Sequence, residues 1–116
     1  MTLNFEIKIE GEGFSGTAEE LQRAILQAAT IISQYCASDC RDELENPPRR
    51  VDTGRLKNSI NGYVDGGDTV VVGTNVEYAI YVHEGTRFMA ANRFLRNGIQ
   101  NNIDEYKSVI EKCMKG

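Results

Sequence analysis

Cysteine, proline and histidine are scarce in this chain, with 3 Cys, 2 Pro and 1 His among 116 residues. An odd number of cysteines cannot pair fully within one molecule, which argues against a disulfide scaffold and for reduced thiols. Long apolar runs are also missing. The longest extend only a few residues, far below the roughly 20 that a membrane helix requires. Met1 leads into an alternating stretch, not the basic and then apolar pattern of an export signal, so the chain is expected to work where it is made or to leave within an assembly. Positive charge is outnumbered, 13 Lys and Arg against 17 Asp and Glu for a net −4, which weighs against a general nucleic-acid coat. The imbalance is uneven. Residues 1–46 hold three basic and nine acidic groups, whereas residues 47–100 hold seven basic and five acidic ones, a polarity that suits copies meeting head to tail.

What remains is ordinary globular composition, 41% hydrophobic and 26% charged, and the expectation is a single domain over residues 1–116. Such a chain can hide roughly two thirds of its unfolded surface, enough for one core without staples. Leu3, Phe5, Ile7 and Ile9 alternate with Asn4, Glu6, Lys8 and Glu10, the period of a strand with one buried and one wet face. Thr17 and Glu20 have capping-box spacing and open a helix. Its apolar positions Leu21, Ala24, Ile25, Ala28, Ile31, Ile32 and Tyr35 recur every three or four residues, and the stripe runs through Cys36 towards Leu44 until Asn46, Pro47 and Pro48 stop it. Asp52 or Thr53 can cap a brief turn through Leu56 to Asn58. Ser59–Val64 and Thr69–Gly73 read as strands joined by Asp65-Gly66-Gly67-Asp68, because two glycines tolerate the positive φ of a tight hairpin. Thr74 and Glu77 repeat the capping-box spacing before a short helix with Val76, Ala79, Ile80 and His83 inward, and Gly85 is expected to end it in a left-handed conformation. From Asn92, the positions Phe94, Leu95, Ile99, Ile103, Tyr106, Ile110 and Met114 predict a second long amphipathic helix, with Gly98 its weak point at about 1 kcal/mol relative to Ala. The expected class is α+β, a small antiparallel sheet of the N-terminal strand plus the hairpin, packed against two long helices and a short one.

Four residue sets suggest chemistry. Gly11, Gly13 and Gly16 fit G-x-G-x-x-G between strand and helix, but a dinucleotide strand is continuously apolar, whereas this one alternates with charge and Glu12 stands where a pyrophosphate would sit. Asp52-Thr53-Gly54 is the triplet of aspartic proteases, which chains of this length build as homodimers with two carboxylates sharing a proton. Its flanks oppose that reading. Pro-Pro-Arg-Arg-Val precedes it where an apolar strand is needed, and Arg55 favours an ionised carboxylate. Cys36, Cys40, Cys113 and His83 could be grouped as a zinc site, but no short loop pairs the ligands. Arg49, Arg50, Arg55, Arg87, Arg93 and Arg96 could touch phosphate as a small nucleic-acid-binding adaptor would, yet they lack interleaved aromatics. No catalytic residue, metal ligand or cofactor site is assigned.

From Val51 the string Val-Asp-Thr-Gly-Arg-Leu-Lys-Asn-Ser-Ile, then Val72-Gly73-Thr74-Asn75-Val76-Glu77-Tyr78-Ala79, then Gly85-Thr86 and Phe94-Leu95-Arg96 resemble the head-tail connector and tail-completion group of tailed bacteriophages, minor tail or neck proteins. Where that group commonly has an acidic residue and an aromatic before Gly-Thr, this chain has His83 and Glu84, and around the Phe-Leu pair it has Ala90, Arg93 and Asn97 in place of prolines. The resemblance implies a virion structural and assembly protein without catalysis or cofactor. It implies a homo-oligomeric ring, six-fold by expectation, that joins head to tail beside other head-connector and tail proteins and is put together in the host cytoplasm. It implies no membrane and no sequence-specific nucleic acid, although DNA passes through the ring.

The motif residues Asp52, Thr53, Gly54, Arg55, Leu56, Tyr78, Ala79, Gly85, Thr86, Phe94 and Leu95 are expected mainly to hold the fold. Asp52 or Thr53 caps a turn, Gly54 relaxes the backbone, Leu56 anchors to the core, and Phe94 and Leu95 start the last helix inward. Arg49 and Arg50, with Asp65 and Asp68 at the hairpin tip, are the expected interface, ordered on contact with neighbours. There Arg49 and Arg50 would meet acids such as Asp39, Asp42 or Glu43 of the next copy.

Overall fold

The structure, a computed structural model, describes residues 3–10, 14–44, 53–87 and 90–114. Along the chain run β1 (Leu3–Lys8), α1 (Ala18–Glu43), α2 (Thr53–Ser59), β2 (Asn61–Asp65), β3 (Thr69–Thr74), α3 (Ala79–Glu84), α4 (Phe94–Gln100) and α5 (Ile103–Met114). The three strands form one antiparallel sheet in the order β1-β3-β2, so the architecture is α+β as expected. Its outline is elongated, 54 × 24 × 21 Å, because the 26 residues of α1 alone reach about 39 Å.

The sheet follows its alternation. Val70 and Val72 of the central strand are buried in the core, with Phe5 and Ile7 opposite them on one side and Gly62 and Val64 on the other. Asn4, Glu6 and Lys8 take the wet face. Gly66 and Gly67 turn the hairpin at φ 68° and 83°, as the Asp-Gly-Gly-Asp sequence predicts. Strand β2 starts later than expected, at Asn61, because Ser59 is the last residue of α2 and its hydroxyl donates to the Leu56 carbonyl at 2.6 Å.

Helix α1 starts at the cap predicted for it, with Thr17 Oγ1 accepting from the Glu20 N–H at 3.1 Å. Its stripe of Ala24, Ala28, Ile32, Cys36, Cys40 and Leu44 is buried and packs against β2, β3, α4 and α5. Tyr35, placed on that stripe by spacing, is exposed. Two glycines set the packing distances. A Cβ on Gly62 would collide with the Ser33 carbonyl of α1, and one on Gly98 would lie 2.8 Å from Cys40 Cα. Gly98 is therefore where α4 crosses α1, not a weak point within the helix.

The second long helix is two helices. The run breaks at Asn101 and Asn102, where the Asn102 side-chain amide donates to the Gly98 carbonyl at 2.8 Å and so competes with the helical ladder. The break shifts the phase of the apolar stripe, which leaves Ile103 exposed while Tyr106 stays buried. The Tyr106 hydroxyl donates to Asp39 Oδ2 at 2.7 Å and ties α5 back to α1.

Candidate functional site

The separate motif strings meet around α2, α3 and the start of α4. Leu56 of α2 is buried in the core. With the Ser59 proton given to the Leu56 carbonyl, the Thr74 hydroxyl donates to Ser59 Oγ at 2.5 Å, and Thr74 Oγ1 accepts the Val76 N–H at 3.1 Å. This closes a local turn two residues long. Thr74 is thus not the capping residue expected for the short helix, which begins at Ala79 after Tyr78 with no side-chain cap. Glu77, freed from that role, lies 3.8 Å from the Arg55 guanidinium, and Arg55 also sits over the Tyr78 ring at 5.4 Å from its centroid. Both members of the ion pair are largely exposed, so the contact orients side chains more than it stabilises the fold.

Ala79 is buried and Gly85 ends α3, its N–H bonded to the Tyr81 carbonyl at 2.8 Å. Gly85 has φ 79° but ψ 173°, an extended positive-φ conformation open almost only to glycine, in place of the left-handed helical one expected. Thr86 is exposed beside it. Gly54 differs from expectation as well. It lies exposed in α2 with open space around a Cβ and without positive φ, so the subunit itself makes no demand for glycine there.

His83 has a role that its sequence position does not announce. Its ring is buried between Phe5 of β1 and Phe94 of α4, with centroids 5.4 and 5.3 Å away. Nδ1 lies 2.8 Å from Glu84 Oε1, and Nε2 accepts the Arg96 backbone N–H at 3.3 Å. These bonds assign the neutral tautomer with its proton on Nδ1. Arg96 is the third residue of α4, and Arg93 at the cap position makes no side-chain capping bond, its guanidinium lying 3.8 Å from Glu84 Oε2 instead, so the imidazole does the work of a helix cap. Burial lowers the His83 pKa below its ordinary value and Glu84 partly opposes this. Phe94 and Leu95, fully buried, begin α4 inward as expected.

The thiols lie elsewhere. Cys36 and Cys40 are buried on α1 and Cys113 is half-buried on α5. Cys40 Sγ donates to the Leu95 carbonyl at 3.6 Å. Desolvation pushes Cys36 up to about 11 and Cys40 higher still, which keeps both protonated and poor as nucleophiles or ligands. Among the described residues no group of three or more His, Cys, Asp or Glu is placed to hold a metal, and no helix is long and apolar enough to cross a membrane.

Arg49, Arg50 and Asp52 lie outside the described residues. The residues that follow Asp52 open a helix, where an aspartic-protease triplet follows a strand. At the hairpin, Asp68 is engaged within its own chain: its carbonyl accepts the Ile9 N–H at 2.7 Å and its carboxylate accepts from the Thr69 hydroxyl at 3.0 Å. Asp65, at the end of β2, is exposed.

A family match covers residues 13–85, more than half of the chain, and is described as "HK97-gp10_like: Bacteriophage HK97-gp10, putative tail-component". The chain belongs to this family of bacteriophage tail components, which points to a structural part in the virion. The match takes in Leu56, Tyr78, Ala79 and Gly85 and ends before Phe94 and Leu95. No curated protein and no solved structure matches the chain.

Proposed function

We propose that this protein is a ring-forming subunit of the head-tail junction, acting as one domain over residues 1–116. About six copies would close through heterologous contacts and join the DNA-filled head to the tail, meeting head-connector and tail proteins on either side. The observation that carries the reading is the family match over residues 13–85. The fate of the motif residues supports it. Leu56, Ala79, Phe94 and Leu95 are spent on the core, whereas Gly54 and Arg55 stand at the surface, where a neighbour can reach them. Binding, not catalysis, is then the activity, with energy from apolar patches and complementary charge. Assembly takes place in the host cytoplasm and DNA passes through the finished ring without being read. On this account Arg49 and Arg50 pair with acids of the next copy.

The test is a phage lysate made without the protein. Filled heads and free, complete tails that become infectious when the purified protein is added are the expected result. Normal joined particles in its absence would remove the role.

A further inference from the structure

We propose that neighbouring copies join by continuing the sheet, the free edge of β1 in one copy pairing in parallel with the free edge of β2 in the next. This names the contact surface within the ring-subunit reading above and rests on it. Among the described strands both are edges, because β3 lies between them. They also run the same way, each being antiparallel to β3, so a further copy can extend the sheet head to tail without reversing direction. Their levels agree through the shared partner: Asn4 and Asn61 both face Gly73, Glu6 and Tyr63 face Val71, and Lys8 and Asp65 face Thr69. When a second copy's β1 takes the place beside β2 at those levels, its Lys8 stands next to Asp65 and its Glu6 next to Tyr63.

The two faces match too. Leu3, Phe5 and Ile7 of the incoming strand are only half-buried in their own subunit and fall on the side of Gly62 and Val64. On that side a groove of about 520 Å³ runs beside the β2 edge, lined by Gln34, Tyr35, Ala37, Arg41, Asn61 and Gly62. The edge itself is unguarded. Asn61–Asp65 carries no proline and no lysine, its single charge falls at the end, and among the described residues only the hairpin glycines and Gly85 have positive φ, whereas lone edge strands are usually blunted by such devices. The exposed Tyr35 lines the groove on the β2 side.

Cysteine cross-linking tests the proposal in a Cys113→Ser background, since Cys36 and Cys40 are buried. Within one copy, positions 6 and 63 are separated by β3, about 9.6 Å apart and beyond the roughly 7 Å that a disulfide spans. Across the proposed joint they are adjacent. Oxidising a mixture of Glu6→Cys and Tyr63→Cys proteins should give mixed dimers, and the doubly substituted chain should give a ladder that ends at the ring. An assembled protein that yields no mixed dimer, or mainly dimers of Glu6→Cys with itself, would overturn the edge assignment and leave the ring standing. A protein that remains monomeric by light scattering at every concentration, alone and with its phage neighbours, would overturn both. As a second arm, Asp65→Lys should raise the concentration needed for assembly about fivefold, and adding Lys8→Asp should restore it. Unchanged assembly of Asp65→Lys, or no rescue, counts against the pairing.

Discussion

Replacing Gly98 with alanine separates what the helix alone prefers from what the packing allows. In an isolated helix the change gains about 1 kcal/mol of propensity. In the folded protein the new Cβ would come within 2.8 Å of the Cα and Sγ of Cys40 and 2.9 Å of its backbone N. Ordinary contacts of this kind begin at 3.4 Å, so α4 must back away by about half an ångström or more. The obstacle is backbone of a 26-residue helix, which cannot swing aside as a side chain can. Overpacking of this sort costs about 1–3 kcal/mol, and the site belongs at the upper end. The net expectation is a loss of about 1–2 kcal/mol, or a Tm lower by roughly 4–10 °C for a domain of this size. Gly98→Val should cost more, since it adds two further carbons at the same place. Urea denaturation with an unchanged m-value, read beside a thermal melt, measures both. An alanine variant equal to or more stable than the parent would refute the close crossing of α1 and α4.

Three further outcomes are expected. His83 is neutral in the fold with its pKa lowered by burial, so unfolding takes up a proton below about 6.5; its stabilisation is complete above that pH and falls away as pH drops towards the folded value. Denaturation midpoints of the parent should therefore decline through that window and those of His83→Gln should decline less, whereas parallel profiles would show that the imidazole is not held buried in its neutral form. Tyr106→Phe removes the hydroxyl bond to Asp39 and should cost about 1–2 kcal/mol in urea titration, a neutral result meaning that the α1–α5 tie is not made in solution. Asp52→Asn should cost about 0–1 kcal/mol and leave assembly intact, because Asn caps nearly as well as Asp; loss of a measurable peptidase activity in that variant would restore the protease reading.

The sheet could be read from the sequence because its signals are local. The alternation from Leu3 to Ile9 and the two adjacent glycines of the hairpin state their geometry within a few residues. The same holds for the Thr17 cap of α1. Thr74 shows the limit of spacing. A threonine three residues before a glutamate is the same pattern whether its hydroxyl caps a helix or closes a turn, and Ser59, 15 residues earlier, takes part in that choice. The break at Asn101 and Asn102 hides behind an apolar stripe that continues across it. His83 escaped for a related reason. Its partners Phe5, Phe94 and the Arg96 amide come from two other elements, and only the folded chain brings them together. The motif strings carried the family, and the fold brings them into contact: Thr74 binds Ser59, and Arg55 reaches Glu77 and Tyr78.

The most direct test of the central claim is to locate the protein in the particle. Phage particles whose copy of this protein carries a small tag, decorated with a tag-specific label and viewed by electron microscopy, should show label confined to the junction between head and tail. Label along the tail tube, at the tail tip or absent from purified particles would contradict the account.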